Sequence, residues 1–453
     1  MILKKNITQI FYLFIFSHLV LWTLIPSLSN LNLPLDTIEA LAWASNLDWG
    51  FNKHPPFSAF IINIFYNIFG SIDWPYYFLS QLCVIISFFF VWKLSNEFFS
   101  NKIFPLFSLL ILEAIVFFNY TTPEFNVYVC QLPLKAAVVY FFWKAINNPR
   151  TSYWILIGLL SAFGVLSHYS FIFIISSLFI YFIFRFKKNR KLLKFFIISF
   201  LTFLLVLSPH LIWLFDNNFE TIRYAVNRSG IENKDLSGHF LNPIIFIFKQ
   251  LGMLVLFFLA FFSIVSFKKI KKLRLNLKDN KILFLIIVNF LPIIIVLFIS
   301  LFSGAKIRTM WMSTFYLFIG LLFFYYSKNI INLSKIKNFL YIIIFYFVLS
   351  PFVYFYVSTA NDLKRTDYPG KEISRLVQNK WDDNFINDIK IVVGDEWSAG
   401  NLSYHLSSRP AWFNDLKGIA DNISEDQGVI YVGNPEILKK ICPGVFGEIK
   451  PTG

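Results

Sequence analysis

The chain reads as a polytopic α-helical membrane protein with a small soluble α/β unit at its C-terminal end, and three observations say so. Hydrophobic residues make up 57% of it and aromatic ones 20%, with 58 Phe, and the mean hydropathy is +0.60, well outside the range of soluble domains. Apolar runs long enough to cross a bilayer recur from residue 8 to residue 357, where about 20 residues of helix suffice. From Ser358 the long runs stop and Gly, Asn and Asp appear at turn-like spacing, as in a domain that folds in water.

The predicted spans are 8–28, 75–99, 103–120, 126–146, 152–167, 169–186, 193–214, 243–267, 282–303, 309–327 and 338–357, eleven in all. Met1 to Leu28, with Lys4 and Lys5 ahead of an apolar run, is expected to stay as an uncleaved first span, because the run is long and lacks a small-residue cleavage site. Pro56 to Gly70 is the exception among the apolar pieces. As a helix it rises only about 21 Å, too little to span, and it is expected to lie at the interface inside a first external loop of about residues 29–74.

Charge supports that choice. Residues 1–357 hold 30 Lys+Arg against 12 Asp+Glu, and residues 358–453 hold 11 against 14. The basic excess thus belongs to the membrane part, in runs such as "RFKKNRKLLK" (Arg185 to Lys194) and "KKIKKLRLNLKDNK" (Lys268 to Lys281). With Pro56–Gly70 left out of the spans, these runs fall on the same side as Lys4 and Lys5, which the positive-inside rule makes cytoplasmic. The first loop and the soluble unit, 358–453, then lie outside. A net charge of +15 distributed in this way argues for membrane topology and against a nucleic-acid partner.

The external turns collect most of the polar chemistry. Asp36 and Glu39 stand three apart, so on a helix they share a face; the same Asp-x-x-Glu after a proline is equally the signature of a capping box, with Asp36 as N-cap. Lys53 and His54 precede Pro55-Pro56, which hold them extended, and a fixed cation beside an imidazole suits a phosphate headgroup. Glu124 follows a proline at the outer end of a span and offers a third carboxylate. His168 ends another span, where packing is expected rather than metal ligation, and it counts with the candidate substrate- or phosphate-binding residues. Arg223 and Arg228 lie in the loop from Asp216 to Phe240, and Lys306 and Arg308 with Trp311 in the short turn "GAKIRTMW". Cations in an external turn are costly without an anion, which favours phosphate binding there. Glu113 and Lys135 lie deeper and are expected to pair with each other. The three cysteines show no metal-ligand or disulfide spacing.

The soluble unit is predicted to hold an amphipathic helix near 369–381, strands at 389–393 and 429–432, and a helix near 435–441. Trp397 and Trp412 stand there either as sugar-stacking surfaces or as core, and no nucleotide-binding glycine pattern is present.

Several of these stretches together resemble the bacterial glycosyltransferase family 39 proteins, the dolichyl-phosphate-mannose–protein mannosyltransferase-like group that includes the lipid A aminoarabinose transferases. "DTIEALAW" and "LDWGFNKHPPFSAF" resemble the family's first periplasmic loop, "TPEFN" its Thr-Pro-Asp step, and "GVLSHYS" its Leu-Ser-Lys-Tyr turn. "SPHLIWLFDNNFETIRYAVNR" and "VVGDEWSAGNLSYHLSSRPAWF" follow in the family order. The resemblance implies a GT-C membrane fold in the inner membrane, a polyprenyl-phosphate sugar donor with no organic cofactor and with divalent metal left open, and inverting transfer to a periplasmic acceptor such as a membrane lipid, lipid A, a glycan or a protein. It implies a catalytic place for Asp36 or Glu39 with Glu124 in support, and phosphate contacts for Lys53, Lys306 and Arg308. Two positions depart from the pattern: Ile38 stands where the family has the Asp of an Asp-Glu pair, and His168 replaces a Lys. The competing reading is a transporter or flippase of a lipid-linked glycan, which should place ionisable residues near the middle of several spans; here only Glu113 and Lys135 lie deep.

Overall fold

A computed structural model describes residues 2–230, 236–360, 364–415, 427–434 and 436. Among the described residues six helices are long and apolar enough to cross a membrane: α1 (Ile2–Ser29), α4 (Trp74–Phe98), α6 (Val127–Asn147), α9 (Leu192–Asp216), α13 (Asn280–Ser303) and α15 (Ile336–Thr359) with the turn before it. Two more candidates are broken. α11 (Gly238–Met253) and α12 (Val255–Ile264) bend by 48°. The 3-10 helix Thr309–Tyr316 bends by 51° into α14 (Ile319–Ser327). Shorter apolar helices are α3 (Phe57–Phe69), α5 (Ile103–Leu110), α7 (Thr151–Ser167) and α8 (Phe171–Phe186). The expected single span over 103–120 is not one helix: after α5 the chain turns through 3-10 segments at Ile111–Ala114 and Val116–Phe118.

Local chemistry sets several ends. Asn126 caps α6 by accepting the Tyr128 and Val129 N–H groups, both at 3.0 Å. Asp279 caps α13 at the Lys281 N–H, 2.8 Å, and Gly304, at φ +71°, closes that helix in the left-handed conformation. α7 packs between α6 and α9; a Cβ at Gly158 would collide with the Ser199 backbone carbonyl, so only glycine lets the two helices approach that closely.

The buried charges of this helical body are paired otherwise than expected. Glu113 meets His18 of α1 at 2.7 Å and Asn119 at 3.3 Å. Lys135 donates to Thr314 at 2.7 Å and sits 3.1 Å from the Phe315 ring centre. Glu113 and Lys135 therefore do not pair; Glu113 leaves the helix axis in a 3-10 turn and finds the first helix, while Lys135 faces the broken span.

In the C-terminal unit α16 (Gly370–Asp382) precedes a parallel three-strand sheet in the order β2-β1-β3, with β1 at Ile389–Gly394, β2 at Ala411–Phe413 and β3 at Gly428–Val432. Helix α17 (Ser398–His405) links β1 to β2. Two strands and α16 match the expectation; α17 and β2 were not anticipated, and the helix expected near 435–441, like Cys442, lies outside the described residues. Trp412 is core: it is buried and its indole N–H donates to the Gly394 carbonyl at 3.1 Å. Trp397 packs on Tyr368, ring centres 5.3 Å apart.

This unit is bolted to the first loop through α2 (Leu35–Ala44). Asn32 donates to Asn401 at 2.8 Å, the Trp412 N–H to Ser45 at 2.8 Å, Arg409 to the Leu41 carbonyl at 2.5 Å and Tyr404 to Asp73 at 2.7 Å. A Cβ at Gly400 would stand 3.1 Å from that of Ala42 and 3.2 Å from Ile38 Cγ2, so α17 and α2 touch at a glycine.

Candidate functional site

The first carboxylates come from the start of α2. Its N-cap is Pro34, which offers no side-chain acceptor, and Asp36 lies inside the first turn. The capping-box alternative is therefore not realised. Glu124 fills the role from another segment, its carboxylate accepting the Asp36 backbone N–H at 3.0 Å. Asp36 and Glu39, one turn apart, are left for other work.

Glu39 is met by Lys53 at 2.7 Å, and Lys53 also reaches Glu396 at 3.1 Å. Glu396 accepts from Asn52 at 2.8 Å as well. Beside this cluster the His54 and His168 rings stand 5.3 Å apart. The Ser170 N–H donates to His168 Nδ1 at 3.1 Å. That bond leaves the proton of the neutral ring on Nε2, which meets the Tyr128 hydroxyl at 3.2 Å.

Two cavities open on these groups. The first, about 470 Å³, is lined by Asp36, Glu39, Lys53, His54, Tyr128, His168, Tyr224, Arg228, Arg308 and Trp311, and continues along an apolar wall that includes Ile172, Phe173, Val296 and Ile299. The second, about 490 Å³, is lined by Asp36, Tyr120, Glu124, Arg228, Arg308, Tyr354 and the strap Lys364-Arg365-Thr366. Asp36, Arg228 and Arg308 line both. One carboxylate and two guanidinium groups thus stand where the cavities meet.

Electrostatics fit a site built to move protons. Burial pushes the Glu39 carboxyl up to about 7, against the pull of Lys53 and with the push of Glu396 and Asp36. Burial likewise raises Glu124 to about 8, with Asp36 adding to it and the Asp36 N–H opposing. Asp36 is raised by burial, which outweighs Lys53, Arg365 and Arg228. For Lys53 burial works downward, but the two carboxylates outweigh it and keep the cation charged. Burial lowers His168 to about 4 and His54 well below the usual imidazole value, with His168, Lys53 and Arg228 adding to the latter shift. Both rings are neutral at pH 7.

Of the residues singled out in the sequence, Asp36, Glu39, Glu124, Lys53, His54, His168, Arg228, Arg308 and Trp311 line one cavity or both. Arg223 and Lys306 line neither. Arg223 stands five residues before Arg228 on α10 (Glu220–Arg228), about 140° round the helix. Lys306 is exposed, and its backbone N–H is tied to the Ser229 carbonyl at 2.9 Å. The sequence reading missed Glu396, Tyr128, Tyr224 and the Lys364-Arg365 strap. Lys364 and Arg365 carried the same signal as Arg308, cations just outside a span. Glu396 carried none, since only the docking of the sheet on α2 brings it to Lys53.

The family model described as dolichyl-phosphate-mannose-protein mannosyltransferase matches residues 53–213, a stretch that contains Lys53, His54, Glu124 and His168. The resemblance drawn from the motifs is borne out over that stretch. Among solved structures it is similar to ArnT from Cupriavidus metallidurans. The crystal structure bound to undecaprenyl phosphate superposes with a TM-score of 0.62 at 11% identity, covering 95% of this chain and 90% of that one. The apo crystal structure gives 0.60 at 13% identity, covering 97% and 92%. No curated protein sequence matches.

Proposed function

We propose that the protein is a glycosyltransferase of the extracytoplasmic face of the bacterial inner membrane, moving a sugar from a polyprenyl-phosphate donor such as undecaprenyl phosphate to a membrane lipid, lipid A, glycan or protein acceptor with inversion. The observation that carries this reading is the junction of the two cavities at Asp36, Arg228 and Arg308. A long isoprenoid chain matches the apolar wall of the first cavity, and its phosphate matches Arg308, Arg228 and Lys53 at the head of that wall. The acceptor enters through the second cavity.

In the transfer, the acceptor hydroxyl oxygen attacks the anomeric carbon as the bond from that carbon to the phosphate oxygen breaks. The hydroxyl proton passes to a carboxylate, and polyprenyl phosphate leaves with both electrons of the broken bond, its charge met by the guanidinium groups. Asp36 is the better placed base, since it lines both cavities while Glu39 is held by Lys53. Glu124 supports it by fixing the first turn of α2. The donor is itself the activated group, so no cofactor enters this balance. The N-terminus and the basic loops are assigned to the cytoplasm, and the first loop and the C-terminal unit to the periplasm, on the distribution of charge.

The test is incubation of the purified protein with a panel of undecaprenyl-phosphate sugars and membrane-lipid extract, followed by mass spectrometry of the products. The expected result is free undecaprenyl phosphate in equal amount with a glycosylated acceptor. Movement of the intact lipid-linked sugar across a vesicle without cleavage would instead establish a flippase.

A further inference from the structure

We propose that Glu396 is a positioning residue that grips Lys53 from the C-terminal sheet, so that the soluble unit of the chain completes the site in the membrane unit. This inference rests on the transferase reading for its catalytic consequence and on geometry alone for the grip itself. Both oxygens of Glu396 are committed to neighbouring residues of the first loop, one to Asn52 at 2.8 Å and the other to Lys53 at 3.1 Å. A Lys side chain left free would sample many rotamers. Here two carboxylates on opposite units of the chain hold it.

The placement of Glu396 is determined on both sides. β1 ends at Gly394, and Asp395 then accepts the Trp397 and Ser398 N–H groups at 2.9 and 2.8 Å, fixing the turn into α17. α17 in turn is seated on α2 at Gly400. Glu396 is 8% exposed, so its charge is not screened as a surface pair would be.

The grip has a consequence for the donor. An ammonium group has three N–H donors; Glu39 and Glu396 take two, which leaves one for a phosphate oxygen entering the first cavity. It also has a consequence for Glu39, which is faced by Lys53, Glu396 and Asp36. Removing the Glu396 charge takes away a repulsion and gives Glu39 the whole of Lys53, so Glu39 releases its proton at lower pH.

The experiment uses the full-length protein in detergent, as wild type and as Glu396→Gln, with matched thermal unfolding. Acetic anhydride at limiting amounts labels free amines, and peptide mass spectrometry reads the rate at Lys53, with the exposed Lys306 as internal reference. The expected result is labelling of Lys53 at least about threefold faster in the variant, as a charge-assisted partner is lost, with Lys306 unchanged; Glu396→Asp, which keeps the charge, should restore part of the protection. Equal labelling of Lys53 in wild type and Glu396→Gln overturns the proposal. In the transfer assay the variant should show a raised KM for the donor with kcat held, a split that a merely structural loss would not produce. A wild type that labels as expected yet transfers no sugar leaves the grip standing and removes the transferase reading.

Discussion

Glu113 and Glu39 are both buried carboxylates, with 2% and 8% of their surface exposed, and they belong to two differently built regions. Glu113 is closed in by side chains: His18 and Asn119 take its oxygens, and Phe14, Phe88 and Trp22 surround the His18 ring. Lys135, in the same body, is likewise filled in by Thr314 and Phe315. Glu39 instead opens on a cavity, shares its one cation with Glu396 and stands near a second carboxylate. In the helical body Glu113 and Lys135 are enclosed by side chains that meet them, whereas in the first loop Glu39 and Asp36 line a cavity. Depth alone does not mark a functional group; an unfilled neighbourhood does.

Variants break or sharpen this contrast. The largest expected effect is on folding: Glu113→Ala leaves the buried His18 ring without its hydrogen-bond partner and should cost about 1–3 kcal/mol of stability, read as a lowered thermal transition or detergent-soluble yield, while Glu39→Gln should leave the transition nearly in place. Next come the guanidinium groups at the cavity junction. Arg228→Ala or Arg308→Ala should each lower kcat/KM by roughly 10- to 100-fold, the value of a charge-assisted bond to phosphate, whereas Arg223→Ala and Lys306→Ala should change it by no more than about twofold. Gly400→Val, which presses α17 off α2, should cost about 1–3 kcal/mol and show in urea or thermal unfolding of the C-terminal unit.

The smallest effect is in pH dependence. The Glu39 value of about 7 lies above its ordinary 4.5, and that of Glu124, about 8, does too. Stability contributed by these protons is fully present below the ordinary glutamate value and is lost as pH rises through the folded values. Thermal stability should therefore decline between about pH 5 and about pH 8, and the double variant Glu39→Gln with Glu124→Gln should flatten the decline.

Much of the architecture was legible because bilayer crossing leaves a coarse signal. Apolar runs fell on helices, six of them long enough to span among the described residues against the eleven expected, and the short Pro56–Gly70 piece carries a 13-residue helix, Phe57–Phe69. What failed was finer. The run 103–120 is apolar apart from Glu113 and a few small or terminal polar residues, so its hydropathy does not mark the break after Leu110; the 3-10 turns there set Glu113 against Asn119 six residues on and against His18 of the first helix. Asp36 and Glu39 had the spacing of a capping box, but Pro34 starts the helix early and Glu124 supplies the cap from outside, a substitution invisible to local pattern. At the site, Lys53 and His54 were readable because the following prolines confine them. Glu396 was not, because its role depends on a sheet docking against a helix on the other side of the chain.

The most direct test of the cavity junction as the reaction centre is the transfer rate of Asp36→Asn, measured beside wild type at matched thermal stability and donor binding. A rate lower by about 10²–10⁴-fold, the contribution of a positioned base, with undecaprenyl phosphate still bound, is the predicted result. Undiminished transfer by Asp36→Asn would contradict it and move the proton acceptor away from the place where the two cavities meet.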